Sequence, residues 1–330
     1  MTTLARLPDP ATPLSHESAR AAFADILDGR ASEHEIASFL CDLSDRGETS
    51  IEIAEAARAL RERLLPITAP PGAIDVCGTG GDGHHTLNVS TAVALVVAAT
   101  GVPVAKHGNR AASSKAGAAD TLEALGLDMT RAGAAAEDTL HALGICFLFA
   151  ANHHPAMKRI TPIRQRLGRR TIFNLMGPLA NPAHVTRQLI GIARPDYAPV
   201  YAEALELLGT EAALIVAGEE GLDELSGAGP SVAMAVGEID LPTRITPEDA
   251  GLARHPLSAI KGGDPAHNAL ALRRLLTGEP GAYRDAVLLN ASAALVLAGT
   301  VATLPAGAAL AAEAIGSGAA HDLLDRWIAW

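Results

Sequence analysis

Ile74-Asp-Val-Cys77 followed by Gly78-Thr-Gly-Gly-Asp-Gly83 is the stretch that decides the fold: a short apolar strand running straight into a glycine-rich turn. Glycines let backbone amides approach an anion closely, and a helix N-terminus after the turn adds its partial positive charge. The chain that follows has the matching charge pattern. From Gly83 to Ala119 there is no Asp or Glu, although the net charge of the protein is −11, and Lys106, His107, Arg110 and Lys115 all fall in that window. The pattern points to a phosphate-bearing ligand.

Outward from the turn, strands and helices alternate. Ser90 to Thr100 reads as a helix, Val102-Pro-Val-Ala105 as a second strand, and Cys146-Phe-Leu-Phe149 and Ala213-Leu-Ile-Val216 as further strands. This order predicts an α/β domain with a central, mostly parallel sheet. Pro155 to Pro182, rich in Pro, Gly, Arg and Asn, reads as a mixed helix-and-loop excursion, and Ala286–Ala298 and Ala306–Ile315 as covering helices. The first seventy residues read as helices only. Ser32 and Glu35 have capping-box spacing before Ile36, Phe39, Leu40 and Leu43, and Thr49 and Glu52 repeat the spacing before a helix expected to stop near Leu65, ahead of Pro66. The Pro-rich stretch Thr68–Gly72 closes this unit, which divides the chain into a helical domain (1–70) and an α/β domain (71–330).

Composition narrows the function. An acidic chain lacks the basic face that general nucleic-acid binding needs. Cys41, Cys77 and Cys146 are far apart, with no CxxC pair, and are expected to be buried reduced thiols. The start of the chain shows no apolar signal segment, and the apolar run Thr91–Ala105 is broken by Gly101 and Pro103 and is too short to span a bilayer. A cytoplasmic protein that binds neither membrane nor nucleic acid is the expectation.

Each motif has a competing reading. Gly78-x-Gly80-x-x-Gly83 fits a dinucleotide fingerprint, but that ligand wants an acid at the end of the next strand, where this chain has Lys106-His107. Asn88, Ser90 and Thr91 open the following helix, where they either cap it or hold phosphate oxygens. Lys106-His-Gly-Asn-Arg110 with Ser113-Ser114-Lys115 is expected to be a phosphate-wrapping loop after the strand. Asp223-Glu224, after Gly221-Leu222, is an acidic pair suited to hydrated Mg²⁺ when a polyphosphate lies opposite. In Arg164-Gln-Arg166-Leu-Gly-Arg169-Arg170 most members read as a solvated face, with one guanidinium suited to a planar carboxylate. His84-His85 and His153-His154 lack the spacing of a zinc site.

Taken together, these residues closely resemble the anthranilate phosphoribosyltransferase family. Its signatures stand in order over nearly the whole chain: Gly78-Thr-Gly-Gly-Asp82, Asn88-Val-Ser-Thr91, Lys106-His-Gly-Asn109, Ser113-Ser114, Gly117-Ala-Ala-Asp120, His154-Pro-Ala-Met-Lys158, Arg164 with Leu167-Gly168, Gly177-Pro-Leu179 and Asp223-Glu224. The later Pro247–Gly251 and Gly262-Gly263 also fit. The resemblance implies a small helical domain completed by helices from about 155–182, a homodimer joined through it, and a site at the hinge between domains. It implies transfer of phosphoribosyl from phosphoribosyl pyrophosphate to anthranilate, with Mg²⁺, two ions per monomer. Phosphoribosyl pyrophosphate would lie on Gly78, Gly81, Asp82, Thr86, Asn88, Val89, Ser90, Thr91, Lys106, His107, Gly108, Asn109, Arg110, Ala111, Ala112, Ser113, Ser114 and Ala118. Anthranilate would lie on Gly78, Asn109 and Arg164, and the metal on Ser90, Asp223 and Glu224, with Lys106 and Asn109 supporting catalysis. Ala118, Ala151 and Ala217 depart from the family's usual residues without removing a ligand. A pyrimidine nucleoside phosphorylase and a non-catalytic nucleic-acid-binding relative are the rival readings.

Overall fold

The computed structural model describes residues 5–111 and 115–330. Three helices open the chain: α1 (His16–Asp28), α2 (Glu33–Arg46) and α3 (Ser50–Arg61). The capping signals at their starts are partly and fully realised. Thr49 and Glu52 form the reciprocal box. Ser32 Oγ accepts from Glu35 N, but the Glu35 carboxylate is diverted to the Leu7 amide (2.7 Å). The third helix ends at Arg61, four residues short of the expected Leu65, before Pro66 can act as its stop.

The remainder alternates as anticipated: β1 (Ile74–Gly78), α4 (Val89–Ala99), β2 (Val104–Gly108), α5 (Ala118–Leu125), α6 (Met129–Ala134), α7 (Ala136–Leu143), β3 (Ile145–Phe149), α8 (Ala150–His153), α9 (Met157–Leu167), α10 (Met176–Leu179), β4 (Arg187–Gly191), α11 (Ala198–Leu207) and β5 (Ala212–Gly218). Then come β6 (Ser231–Val236), β7 (Arg244–Ile245), α12 (Pro265–Leu276), α13 (Ala282–Leu297), α14 (Leu304–Gly316) and α15 (Ala319–Ala329). Three strands, β4, β6 and β7, carried no sequence expectation.

Among the described residues the strands form one seven-stranded sheet, ordered β3-β2-β1-β4-β5-β6-β7. The first five are parallel; β6 and β7 are antiparallel additions at one edge. The order reverses at β1: β2 and β3 lie on one side of it and β4 on the other. In such sheets the crevice beyond the strand ends at the reversal is where ligands bind. Helix α4 is apolar all round because it is enclosed, between the sheet and the C-terminal helices α13–α15. The opposite sheet face shares a single core with the N-terminal helices: Ile190, Ile215, Tyr201 and Leu205 pack in the same cluster as Phe23, Ile53, Ile160 and Ile163. Helices α9 and α10, from the Pro155–Pro182 excursion, therefore pack with α1–α3. No helix among the described residues is long and apolar enough to cross a membrane.

Candidate active site

The ends of β1 and β4 lie side by side, with Gly78 opposite Gly191 in the parallel register. Both must be glycine because the turn carrying Asp223 descends onto them. A Cβ on Gly78 would stand 2.3 Å from Asp223 Oδ2, and one on Gly191 would stand 1.6 Å from the Asp223 carbonyl oxygen. Gly191 was not legible in the sequence as a site residue. Since its clash is with backbone, Gly191→Ala is expected to displace the acidic turn and to lower turnover at least about a hundredfold, the usual cost of an ångström-scale misplacement. Steady-state rates on the folded variant check this.

After Gly78 the chain turns through Gly80, Gly81 and Gly83, all at positive φ. Three contacts hold this turn. Gly80 N donates to Asp223 Oδ2 (2.8 Å), Arg170 Nη2 donates to the Gly80 carbonyl (2.8 Å), and Gly262 N donates to the His85 carbonyl (2.8 Å). Arg170 thus departs from the expectation of a solvated arginine face. Arg166 and Arg169 meet it, paired at the surface with Glu33 and Asp45.

Asp223 and Glu224 face the start of α4. Glu224 Oε1 accepts from Ser90 N (3.1 Å), while its Oε2 is buried without a partner among the described residues. Burial raises the pKa of Asp223 to about 6, helped by the nearby charge of Asp82; burial and then the Asp223 charge push Glu224 well above the usual carboxylate range. A cavity of about 20 Å³ lies against Ser90, Asp223 and Glu224. Among the described residues no three His, Cys, Asp or Glu side chains gather to form a complete cation cage. An orphaned carboxylate oxygen, a second raised acid and a small cavity fit Mg²⁺, which is held through one or two carboxylates plus substrate phosphates.

The reading of Lys106 and His107 as loop residues needs correction. Pro103 lacks an N–H, so the strand begins at Val104 and carries Lys106 and His107 inside it, buried. Lys106 Nζ donates to the Val76 carbonyl (2.7 Å) and Ser90 Oγ (3.2 Å), and burial lowers its pKa. Lys106 is therefore partnered within the fold as well as aimed at the crevice. Lys106→Gln is expected to cost about 1.5–3 kcal/mol of stability, the worth of a charged hydrogen bond, besides its effect on ligand binding. Denaturant unfolding checks the first and calorimetry the second.

His107 is not one of the window's cations. Burial, then the neighbouring His154, lowers its pKa to about 3, and burial lowers that of His154 to about 4. His107 Nδ1 donates to the Gly177 carbonyl (2.8 Å), which fixes its tautomer and leaves Nε2 to accept from His154 Nε2 (3.3 Å). The two imidazoles, 47 residues apart in sequence, had no shared signal in the chain.

Asn88 sits at the N-cap of α4 but makes no cap bond. Its Oδ1 accepts from Thr121 Oγ1 (2.5 Å) and Asn268 Nδ2 (2.9 Å), tying the helix start to α5 and α12. Asn109 and Arg110 lie on the exposed turn after β2. Arg110 is held by acids just beyond the acid-free window, Asp120 and Glu123 (2.8 Å each), and Asp120 also accepts from Ala111 N and Gly117 N (2.9 Å each). Ala112, Ser113 and Ser114 lie outside the described residues. Arg164, on α9, is half-buried and makes no side-chain hydrogen bond or ion pair among the described residues; burial lowers its pKa.

A helical bundle fronting an α/β sheet, with a glycine turn and acidic pair at the strand reversal, defines a class of glycosyl transferases. Residues 4–64 match the model of the glycosyl transferase family helical bundle domain, and residues 70–321 that of the glycosyl transferase family a/b domain. Among curated proteins, the chain is 64% identical over 331 residues to an anthranilate phosphoribosyltransferase of Sphingopyxis alaskensis, covering 100% of both. It is 66% identical over 325 residues to that of Novosphingobium aromaticivorans, covering 98% of both. Among solved structures, the Thermus thermophilus anthranilate phosphoribosyltransferase matches with a TM-score of 0.92 at 46% identity, over 97% of this chain and 96% of that one. The Saccharomyces cerevisiae enzyme, solved in complex with PRPP and Mg, matches with a TM-score of 0.88 at 30% identity, over 96% and 93%. The chain belongs to the anthranilate phosphoribosyltransferase family.

Proposed function

We propose that this chain transfers the phosphoribosyl group of phosphoribosyl pyrophosphate to the amine of anthranilate, giving N-(5-phosphoribosyl)anthranilate and pyrophosphate, the second step from chorismate to tryptophan. The observation that carries this reading is the acidic turn closing onto Gly78, Gly80 and Ser90 at the strand reversal, with Lys106 reaching Ser90 from the neighbouring strand. The amine nitrogen bonds to ribose C1 as the bond from C1 to the pyrophosphate oxygen breaks, the electron pair leaving with that oxygen and a proton leaving the nitrogen. An aniline-type nitrogen is unprotonated at neutral pH, so no strong general base is required, and the protein contributes positioning and charge neutralisation.

The amides of the Gly78–Gly83 turn and the Asn88–Thr91 helix start, with Lys106 to Ala111 and Ala118, hold the phosphates and ribose. Arg110 exchanges its surface acids for phosphate oxygens. Arg164 orients the acceptor through its carboxylate, beside Gly78 and Asn109. Ser90, Asp223 and Glu224 hold Mg²⁺, two ions per monomer. When bound, Mg²⁺ neutralises the departing pyrophosphate. The working unit is a cytoplasmic homodimer, with the helical domain (1–70, with 155–182) hinged on the α/β domain (71–330).

Assay of both substrate pairs tests the reading. Pyrophosphate release with anthranilate, and no phosphorolysis of uridine or thymidine, is the expected outcome. The reverse pattern would make the chain a pyrimidine nucleoside phosphorylase.

A further inference from the structure

The strands β1 and β2 are neighbours, yet their parallel register is recorded only at Ile74↔Val104, where β1–β4, β2–β3 and β4–β5 each register five residue pairs. A parallel ladder continued from that pair would give the His107 N–H to the Val76 carbonyl, and the Val76 N–H to the Ala105 carbonyl. Side chains take those places instead. His107 N donates to Asp75 Oδ1 (3.1 Å), Asn181 Nδ2 donates to the Ala105 carbonyl (2.8 Å), and Lys106 Nζ donates to the Val76 carbonyl (2.7 Å). Asn181 Nδ2 also donates to Asp75 Oδ2 (2.8 Å), and its Oδ1 accepts from Ala183 N (2.8 Å), so the amide is locked in place.

Asp75 and Asn181 are 0% and 3% exposed, and burying them is costly where a direct strand pairing would satisfy the same backbone groups without a buried carboxyl. Alternation along β1 puts Asp75 on the sheet face opposite Ile74 and Val76, so Asp75 and Asn181 enter the gap from one face and Lys106 from the other. The gap opens toward the strand ends that carry the Gly78 turn and the Asn109 turn.

Resting on the phosphoribosyl-transfer reading, we infer that Asp75 and Asn181 are positioning residues: they wedge β1 from β2 and so set the separation between the two loops that hold phosphoribosyl pyrophosphate. Neither residue reaches the ligand. They act through the strand ends and through the lysine held between them.

The test compares the parent with Asp75→Asn, Asn181→Ala and the double variant, and with Cys146→Ala as a packing control on β3. The measurements are kcat, both KM values, calorimetric binding of phosphoribosyl pyrophosphate with Mg²⁺, and amide exchange over residues 104–108. Each single variant is expected to raise the KM for phosphoribosyl pyrophosphate at least tenfold and to lower kcat, with anthranilate KM changed less than threefold. The His107 amide should exchange at least tenfold faster in Asp75→Asn. The double variant should be little worse than the stronger single one, because the two residues act as one unit. Cys146→Ala should stay within threefold of the parent. If Asp75→Asn does not fold, Asn181→Ala decides alone.

Folded variants with kcat and the phosphoribosyl pyrophosphate KM within twofold of the parent would overturn the wedge. Losses that merely track the folded fraction, or that Cys146→Ala reproduces, would do so too. A parent protein that releases no pyrophosphate would overturn the functional reading instead, and the wedge would then stand or fall on the exchange and calorimetric results.

Discussion

Replacing Asp223 by Asn together with Glu224 by Gln should abolish Mg²⁺-dependent turnover and, in the same variant, raise the melting temperature of the ligand-free protein at neutral pH. The two effects have one cause. Both carboxyls are buried, and burial raises the pKa of each above its ordinary value. The folded state therefore prefers the neutral acids. Stability from Asp223 is full below its ordinary value of 3.8 and is lost as pH rises through about 6, so at pH 7 the ligand-free fold carries the cost of ionising Asp223 away from water, and Glu224, raised by burial and by the Asp223 charge, adds a cost of the same sign. Replacing both acids by amides relieves that cost; each gain of about 1 kcal/mol is worth roughly 1–2 °C at this chain length. The function goes with the charge, because neutral amides hold Mg²⁺ weakly. Thermal melts from pH 4 to 8 check the first half: the parent should lose stability as pH rises through about 6, and the variant should not. A variant less stable than the parent at pH 8 would contradict the assignment of the pair as a strained, cation-seeking site, as would unchanged turnover at saturating Mg²⁺.

Arg164→Ala should raise the anthranilate KM roughly ten- to a hundredfold while leaving affinity for phosphoribosyl pyrophosphate nearly unchanged, since a charge-assisted hydrogen bond is worth about 1.5–3 kcal/mol. The guanidinium is half-buried on α9 and has no partner among the described residues. A desolvated, unpaired cation costs the folded protein something and supports nothing internal, so the variant should fold normally. A substrate analogue without the carboxylate should be poor with the parent and lose little more with the variant. Equal losses for both acceptors would show that Arg164 does not clamp a carboxylate.

Local signals were legible in the chain where neighbours in sequence are also neighbours in space. The capping box at Thr49 and Glu52 and the strand at Ile74–Cys77 are of this kind, and both formed. Burial and partnership were not legible. The acid-free window suggested free cations, but His107 is neutral beside His154, and Arg110 is taken by Asp120 and Glu123 just past the window's end. Strand β4 was hidden because its five residues begin with Arg187-Gln188, although Gln188 is buried and donates to the Pro178 carbonyl (2.7 Å). With β4 unseen, Gly191 had no visible reason to be glycine. That reason lies 32 residues away, in the Asp223 carbonyl that descends onto it. The acidic pair was legible as a motif and the family resemblance joined Ser90 to it, but the contact itself, Ser90 N donating to Glu224 Oε1 (3.1 Å), spans 134 residues and carries no local signal.

The crevice at this reversal is where anthranilate would be joined to a phosphoribosyl group. The most direct measurement is pyrophosphate release from phosphoribosyl pyrophosphate in the presence of Mg²⁺, with and without anthranilate, with the product identified by mass. Release is expected only when anthranilate is present, with one pyrophosphate for each N-(5-phosphoribosyl)anthranilate formed, and both should be lost when Mg²⁺ is chelated. Release at the same rate without anthranilate, or none with it, would contradict this reading.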